Sequence, residues 1–306
     1  MKREYFSVQA DGFYGAYFKN PAECHRGVIL MLGDKIDDAM VKMGVKWLHG
    51  QGCNVLTMAP ETKDYAFHNF RIEYFEEAIK ALKKRGNVKF GIMGASTTGM
   101  AALAAASLIP ELTLTVAISP SDYIMEGFYR DGKDGAKERP GNNESSLSYR
   151  GNGLPYMRYA YRHPEYWQKI QEETKRRGDM IASRDMFDLS EKLCPLTEDM
   201  MIKVENIHGK VALIGAEDDS LWDTCRYIRR MADRLRCKPH YCKCALITFE
   251  YGSHLLFPQS MLETLLPVGS SLALKMAFKT LREHPAECKR SRIELDRRLR
   301  RIIKNW

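Results

Sequence analysis

Short apolar runs alternate with helix-length amphipathic segments between residues 27 and 119, and this alternation constrains the fold more than any other feature of the chain. Gly27–Gly33 reads as a buried strand, residues 37–49 as a helix closed by Gly50, and Asn54–Ala59 as the next strand. A helix over 68–85 stops at Gly86. The strand Val88–Met93, an Ala-rich helix running to Ser107, and the strand Leu112–Ser119 complete the series. Strands apolar on both faces must be covered on both faces, which argues for a mainly parallel sheet between two layers of helices. Residues 3–19 alternate about Asp11-Gly12 and predict two antiparallel strands joined as a hairpin.

After Pro120 the pattern breaks. Arg130–Gly153 is rich in Gly, Asp, Asn, Ser and Lys and shows no strand signal. Tyr156, Tyr159, Tyr161, His163, Tyr166 and Trp167 follow, and helices are expected near 164–177 and 184–193. An insertion leaving the carboxyl end of a sheet strand overhangs whatever binds there. Residues 120–205 are therefore expected to form a cap within a single domain spanning 1–306. The sheet resumes at Val211–Gly215, followed by a basic helix over 223–236 and a last strand at Cys244–Phe249.

Composition excludes several function classes. No run of eighteen apolar residues is present, so no membrane-spanning helix is expected, and Met-Lys-Arg-Glu-Tyr-Phe lacks the apolar core of an export signal. A cytoplasmic setting follows as an expectation, with the eight cysteines as reduced thiols. Cys237, Cys242 and Cys244 flank His240, but their spacing matches no zinc knuckle, and neither metal nor cofactor is expected. The net charge of +8 favours anionic ligands. Much of it lies in residues 289–304, where Leu295, Leu299, Ile302, Ile303 and Trp306 share one helical face; that reads as a docked surface helix, and no nucleic acid is expected as a partner.

The chemistry concentrates at three strand ends. Ser96 sits in Gly94-Ala95-Ser96, between an apolar strand and a helix whose first N–H groups favour developing negative charge. Asp218 and Asp219 follow the strand at 211–215, and His254 follows the strand at 244–249. A serine hydroxyl becomes a nucleophile when an imidazole accepts its proton, and a carboxylate on the other ring nitrogen fixes the tautomer. The order Ser–acid–His is that of α/β-hydrolases. Either aspartate satisfies the spacing. The elbow departs from G-x-S-x-G, since Thr98 stands where the second Gly is expected. Main-chain oxyanion donors are expected at Thr97 and, in the loop after the first sheet strand, at Asp34.

The chain resembles the C-terminal domain of acyl-CoA thioesterases and bile acid-CoA:amino acid N-acyltransferases from about residue 20 to residue 280. The resemblance is carried by Gly91–Thr97, Ser148–Tyr156, Val204–Gly209, Glu217-Asp-Asp-Ser-Leu-Trp222 and Tyr251–Leu255. It implies an α/β-hydrolase fold of dienelactone-hydrolase-like type, with Ser96 as nucleophile, Asp219 as the orienting acid three residues before Trp222, and His254 as base. The implied activity is hydrolysis of an ester or thioester, an acyl-CoA among the candidates, since serine in place of cysteine favours hydrolysis over amide transfer. Acyl transfer from the same acyl-enzyme, and a catalytically silent binding protein, are the alternatives.

Overall fold

The structure is a computed structural model describing residues 3–33, 35–61, 66–264 and 277–306. An eight-stranded sheet takes the order β1-β2-β4-β3-β7-β8-β13-β14. Its strands are β1 (Arg3–Phe6), β2 (Gly15–Phe18), β3 (Arg26–Met31), β4 (Asn54–Met58), β7 (Lys89–Ala95), β8 (Leu112–Ile118), β13 (His208–Ala216) and β14 (Tyr241–Phe249). β1 and β2 pair antiparallel, β2 and β4 likewise, and every pair from β4 to β14 is parallel. The expected N-terminal pair therefore forms, but its connection holds one helical turn, α1 (Val8–Asp11), closed by Gly12 at φ +80°.

The chain passes from β3 to its neighbour β4, then crosses back to β7 on the other side of β3. Loops leaving the carboxyl ends of β3 and β7 thus diverge, and the crevice between them is where such sheets accept ligands.

Helices cover both faces. α3 (Glu73–Lys84), α4 (Thr97–Leu108) and α7 (Thr224–Cys237) bury one set of side chains, while α2 (Ala39–His49), α8 (Gln259–Glu263) and the C-terminal helix Pro285–Lys304 bury the other. α4 is buried almost all round, which its alanines permit by bringing the helix close to β7 and β8. The C-terminal helix docks through Leu295, Leu299 and Ile303, with Ile302 and Trp306 packed beside them. Its Asp296 accepts from Trp47 Nε1 at 3.1 Å and from the Ser260 N–H at 2.9 Å.

Two expectations fail here. The helix expected from residue 68 begins at Glu73, because Asn69 adopts φ +46° and the flanking residues pair as strands: β5 (Ala66–Phe67) with β9 (Glu126–Tyr129), and β6 (Phe70–Arg71) with β11 (Leu147–Tyr149). The segment 130–153, expected to hold no strand, contains β10 (Arg139–Ser145), β11 and β12 (Asn152–Gly153). These complete two three-stranded sheets, β10-β9-β5 and β12-β11-β6. Glycine and asparagine serve close approach and a bulge here, not a loop. A Cβ on Gly141 would stand 2.9 Å from the Gly127 carbonyl oxygen, and the β9–β10 register shifts between Pro140 and Ser145 around Asn143 at φ +56°. The helices expected near 164–177 and 184–193 are α5 (Glu165–Arg177) and α6 (Arg184–Leu193).

Candidate active site

Ser96 occupies the single residue between β7 and α4, at φ +60° and ψ −131°. This backbone region is costly for a side chain bearing a Cβ, by about 1–3 kcal/mol, and persists only when its surroundings enforce it. They do. The Ser96 N–H donates to the Ile118 carbonyl at 2.8 Å, and its own carbonyl accepts from Gly99 and Met100 at 2.9 and 3.1 Å.

The departure at Thr98 has a physical account. A Cβ on Gly94 would stand 2.1 Å from the Thr98 carbonyl oxygen, so the tight crossing of strand and helix falls on Gly94 and not on the side chain of Thr98. Gly99 shares the crossing: its N lies 2.9 Å from where a Gly94 Cβ would sit, and a Cβ of its own would stand 3.1 Å from the Ile118 carbonyl oxygen and 3.4 Å from that of Gly94. The Thr98 side chain points away from both contacts. Its Oγ1 accepts from the Ala95 N–H at 3.0 Å and lies 2.8 Å from the Met31 carbonyl, tying the end of β3 to the turn.

The two aspartates divide their work. Asp219 is buried, and its Oδ1 and Oδ2 lie 3.0 and 2.8 Å from His254 Nδ1, which donates to them. The Leu221 N–H at 2.9 Å and the Thr224 hydroxyl also donate to this carboxylate. Asp218 turns instead to the histidine loop, accepting from the Gly252 and Ser253 N–H groups at 3.0 and 2.9 Å and from the Thr280 hydroxyl at 2.6 Å. Burial pushes the Asp218 carboxyl above its ordinary value despite these donors.

His254 is itself buried, with Trp222 edge-on to its ring at 4.8 Å between centroids. Its Nε2 is buried and has no hydrogen-bond partner among the described residues. Ser96, Thr97 and His254 line one cavity of about 310 Å³, together with Gly33 from the loop after β3. The rest of its wall is mainly apolar and includes Met125, Phe128, Phe187, Leu255 and Phe257. Thr97 opens α4, and its N–H is among the donors a helix start leaves without an intrahelical partner. Asp34 lies outside the described residues.

Sequence reasoning missed Ser119. At φ +46° just beyond β8, its Oγ donates to the His254 carbonyl at 2.9 Å and its own carbonyl accepts from Trp222 Nε1 at 3.2 Å. It thereby fixes the histidine loop and the ring packed on the imidazole. Its place at a strand end, level with the other site residues, was the available signal. Among the basic residues of the insertion, Arg150 bonds Glu76 at 2.8 Å and Arg162 pairs with the buried Glu126, while Arg158 lines a separate hollow; none of the three lines the cavity holding Ser96. No group of three or more metal-ligating side chains occurs among the described residues, and no helix among them is long and apolar enough to cross a membrane.

A model of the family described as BAAT / acyl-CoA thioester hydrolase C terminal matches residues 70–261. No curated protein matches the sequence. Among solved structures, the Pyrococcus furiosus esterase Pf2001 is similar at 15% identity with a TM-score of 0.48, covering 99% of this chain and 96% of that one. Acetyl xylan esterase 1 from Thermoanaerobacterium sp. JW/SL YS485 is similar at 14% identity with a TM-score of 0.43, covering 88% and 79%.

Proposed function

The chain belongs to the BAAT / acyl-CoA thioester hydrolase C-terminal family, and from that premise we propose that it is a serine hydrolase cleaving an ester or thioester, acyl-CoAs included, through an acyl-enzyme on Ser96. The observation that carries this reading is the state of His254. One ring nitrogen is held by Asp219, and the other is buried without a partner in the cavity that Ser96 lines.

His254 Nε2 takes the Ser96 hydroxyl proton as Oγ attacks the substrate carbonyl. Asp219 holds the proton on Nδ1, keeps Nε2 basic and stabilises the imidazolium that forms. Negative charge on the tetrahedral oxygen is met by the Thr97 N–H and by a second main-chain donor in the loop after β3, assigned to Asp34; losing one such donor raises the barrier by about 3 kcal/mol. Collapse expels the alcohol or thiol, which takes the proton from His254. Water then repeats the sequence on the acyl-enzyme. Residues 120–205 act as a cap, supplying Met125, Phe128 and Phe187 to the wall against which an acyl chain rests.

A fluorophosphonate probe should add its mass at Ser96, and Ser96→Ala should lower turnover of p-nitrophenyl esters at least about a thousandfold. Intact turnover in that variant, or labelling at another residue, overturns the assignment. Amide formed in the presence of glycine or taurine would redirect the reading from hydrolysis to acyl transfer.

A further inference from the structure

One wall of the cavity of Ser96 is a run of aromatic rings. Trp222 meets the His254 ring at 4.8 Å between centroids, Phe187 meets Trp222 at 5.1 Å, and Tyr159 meets Phe187 at 5.8 Å, all edge-on at 78–88°. Tyr166, in the first turn of α5, packs on Tyr159 at 5.2 Å. The imidazole thus stands at one end of the run and two phenols at the other, with Phe187 between them.

The phenols differ from the rest of the wall in what their polar ends meet. Tyr159 and Tyr166 are only 4% and 3% exposed, yet neither hydroxyl has a hydrogen-bond partner among the described residues. Away from the cavity, the buried Tyr123 and Tyr227 hydroxyls bond each other at 3.0 Å. Other polar groups on the wall are engaged: Ser183 Oγ donates to the Leu221 carbonyl at 2.9 Å, Trp222 Nε1 to the Ser119 carbonyl at 3.2 Å, and Arg130 to Glu138 at 2.8 Å. A buried hydroxyl left dry costs free energy, so two of them on one cavity wall mark a place where a guest supplies the acceptor.

The nature of that acceptor follows from the charges nearby. Burial, with the carboxylates of Glu126 and Glu138 close by, holds both phenols well above their ordinary pKa, and they stand protonated as donors. Glu138 is matched by Arg130 and Glu126 by Arg162, an arrangement that favours a neutral oxygen over a carboxylate.

Resting on the Ser96 reading above, we propose that the acyl group of the substrate carries a second carbonyl, a ketone several carbons from the scissile one, whose oxygen accepts from the Tyr159 and Tyr166 hydroxyls. The intervening carbons lie along Phe187. The pair acts in recognition and leaves the chemical step to Ser96, Asp219 and His254. A site that donates to a substrate oxygen rejects the analogue lacking it, because the donors are then buried unpaired.

The test uses p-nitrophenyl esters of straight-chain acids and their oxo counterparts, in which one methylene of the acyl chain is replaced by C=O; the leaving group is constant. In the wild type, one oxo position should raise kcat/KM about tenfold or more over the alkyl parent. In Tyr159→Phe/Tyr166→Phe that ratio should fall to within about twofold of one, and kcat/KM of the alkyl parent should rise, since its complex no longer holds dry hydroxyls. Equal losses for the two esters would give the phenols a purely structural role and overturn the subsite. An oxo preference that survives both substitutions, no oxo ester ahead of its parent in the wild type, or an ω-carboxyl ester ahead of every oxo ester would overturn it too. Failure of the Ser96 reading is separately visible, because turnover of both esters would then survive Ser96→Ala.

Discussion

A Cβ on Gly94 would meet the carbonyl oxygen of Thr98 at 2.1 Å, a backbone contact that no rotamer change relieves. Gly94→Ala must therefore shift the turn bearing Ser96. We expect a stability loss of about 1–3 kcal/mol, the usual scale of overpacking, with a larger loss of kcat. Thr98→Val keeps the shape of the side chain and removes the hydroxyl between Ala95 and Met31. It should cost about 1–3 kcal/mol for the groups left unsatisfied. Urea melts and ester turnover check both, and a Gly94→Ala protein with normal kcat would refute the account of the turn.

Asp218 and Asp219 should separate in kinetics. Asp219→Asn leaves the imidazole in the wrong tautomer and should lower kcat by about 10⁴ with little change in KM. Asp218→Asn loses at least one acceptor for Gly252, Ser253 and Thr280, so it should lower stability by about 1–3 kcal/mol and kcat far less. Equal losses of kcat in the two variants would show that the division of labour is wrong.

Behind β8, Asp122 is fully buried and held by two bonds from Arg230, each of 2.7 Å. Burial pushes the Asp122 carboxyl up to about 6 even so. In Arg230→Met the opposing charge is gone and the carboxyl must rise further. A group whose folded value is raised gives stability that is full below its unfolded value and lost as pH climbs through the folded one. Arg230→Met should thus be destabilised by about 3–5 kcal/mol near neutrality, more at pH 8 than at pH 5. Denaturant melts at the two pH values check the sign.

Asp296 behaves in the opposite sense. Burial opposes its ionisation, but donors from Ser260, Arg300 and Trp47 outweigh burial and hold the carboxyl below its ordinary value of 3.8. Its contribution is complete above that value and is lost as pH falls through the lowered one. Asp296→Asn should be less stable than the parent at pH 6, with the gap closing below about pH 3.8. A gap that stays constant with pH would assign the effect to packing alone.

The parallel sheet was legible because its central strands are buried on both faces and so appear as apolar runs, unbroken in Gly27–Leu32 and broken only by Thr113 and Thr115 in Leu112–Ile118. The strand ends carrying Ser96, the paired aspartates and His254 followed from those runs. The choice between the aspartates did not follow from spacing, since both carboxylates meet the 252–254 loop and differ only in whether they take its backbone N–H groups or its imidazole. β10 was invisible for a related reason: Arg139–Ser145 is shaped by its bulge and by contact with Gly127, neither of which leaves an alternating pattern. Asn69 delayed the start of the expected helix to Glu73 through its backbone angle, although its neighbours read as helical.

Ser183 and Arg184, at the start of α6, donate their N–H groups to the Ser220 carbonyl at 3.0 and 3.1 Å, and the Arg184 guanidinium reaches the carbonyls of Glu217 and Asp219 at 3.0 and 3.1 Å. The Met180–Ser183 wall of the cavity and the loop carrying Asp219 are therefore one mechanical part. Prying up the Met180–Ser183 edge to admit a bulkier guest pulls on the residues that aim the imidazole. Substrates too wide for the resting shape should consequently be turned over slowly as well as held weakly, and selectivity by size should be written in kcat as much as in affinity.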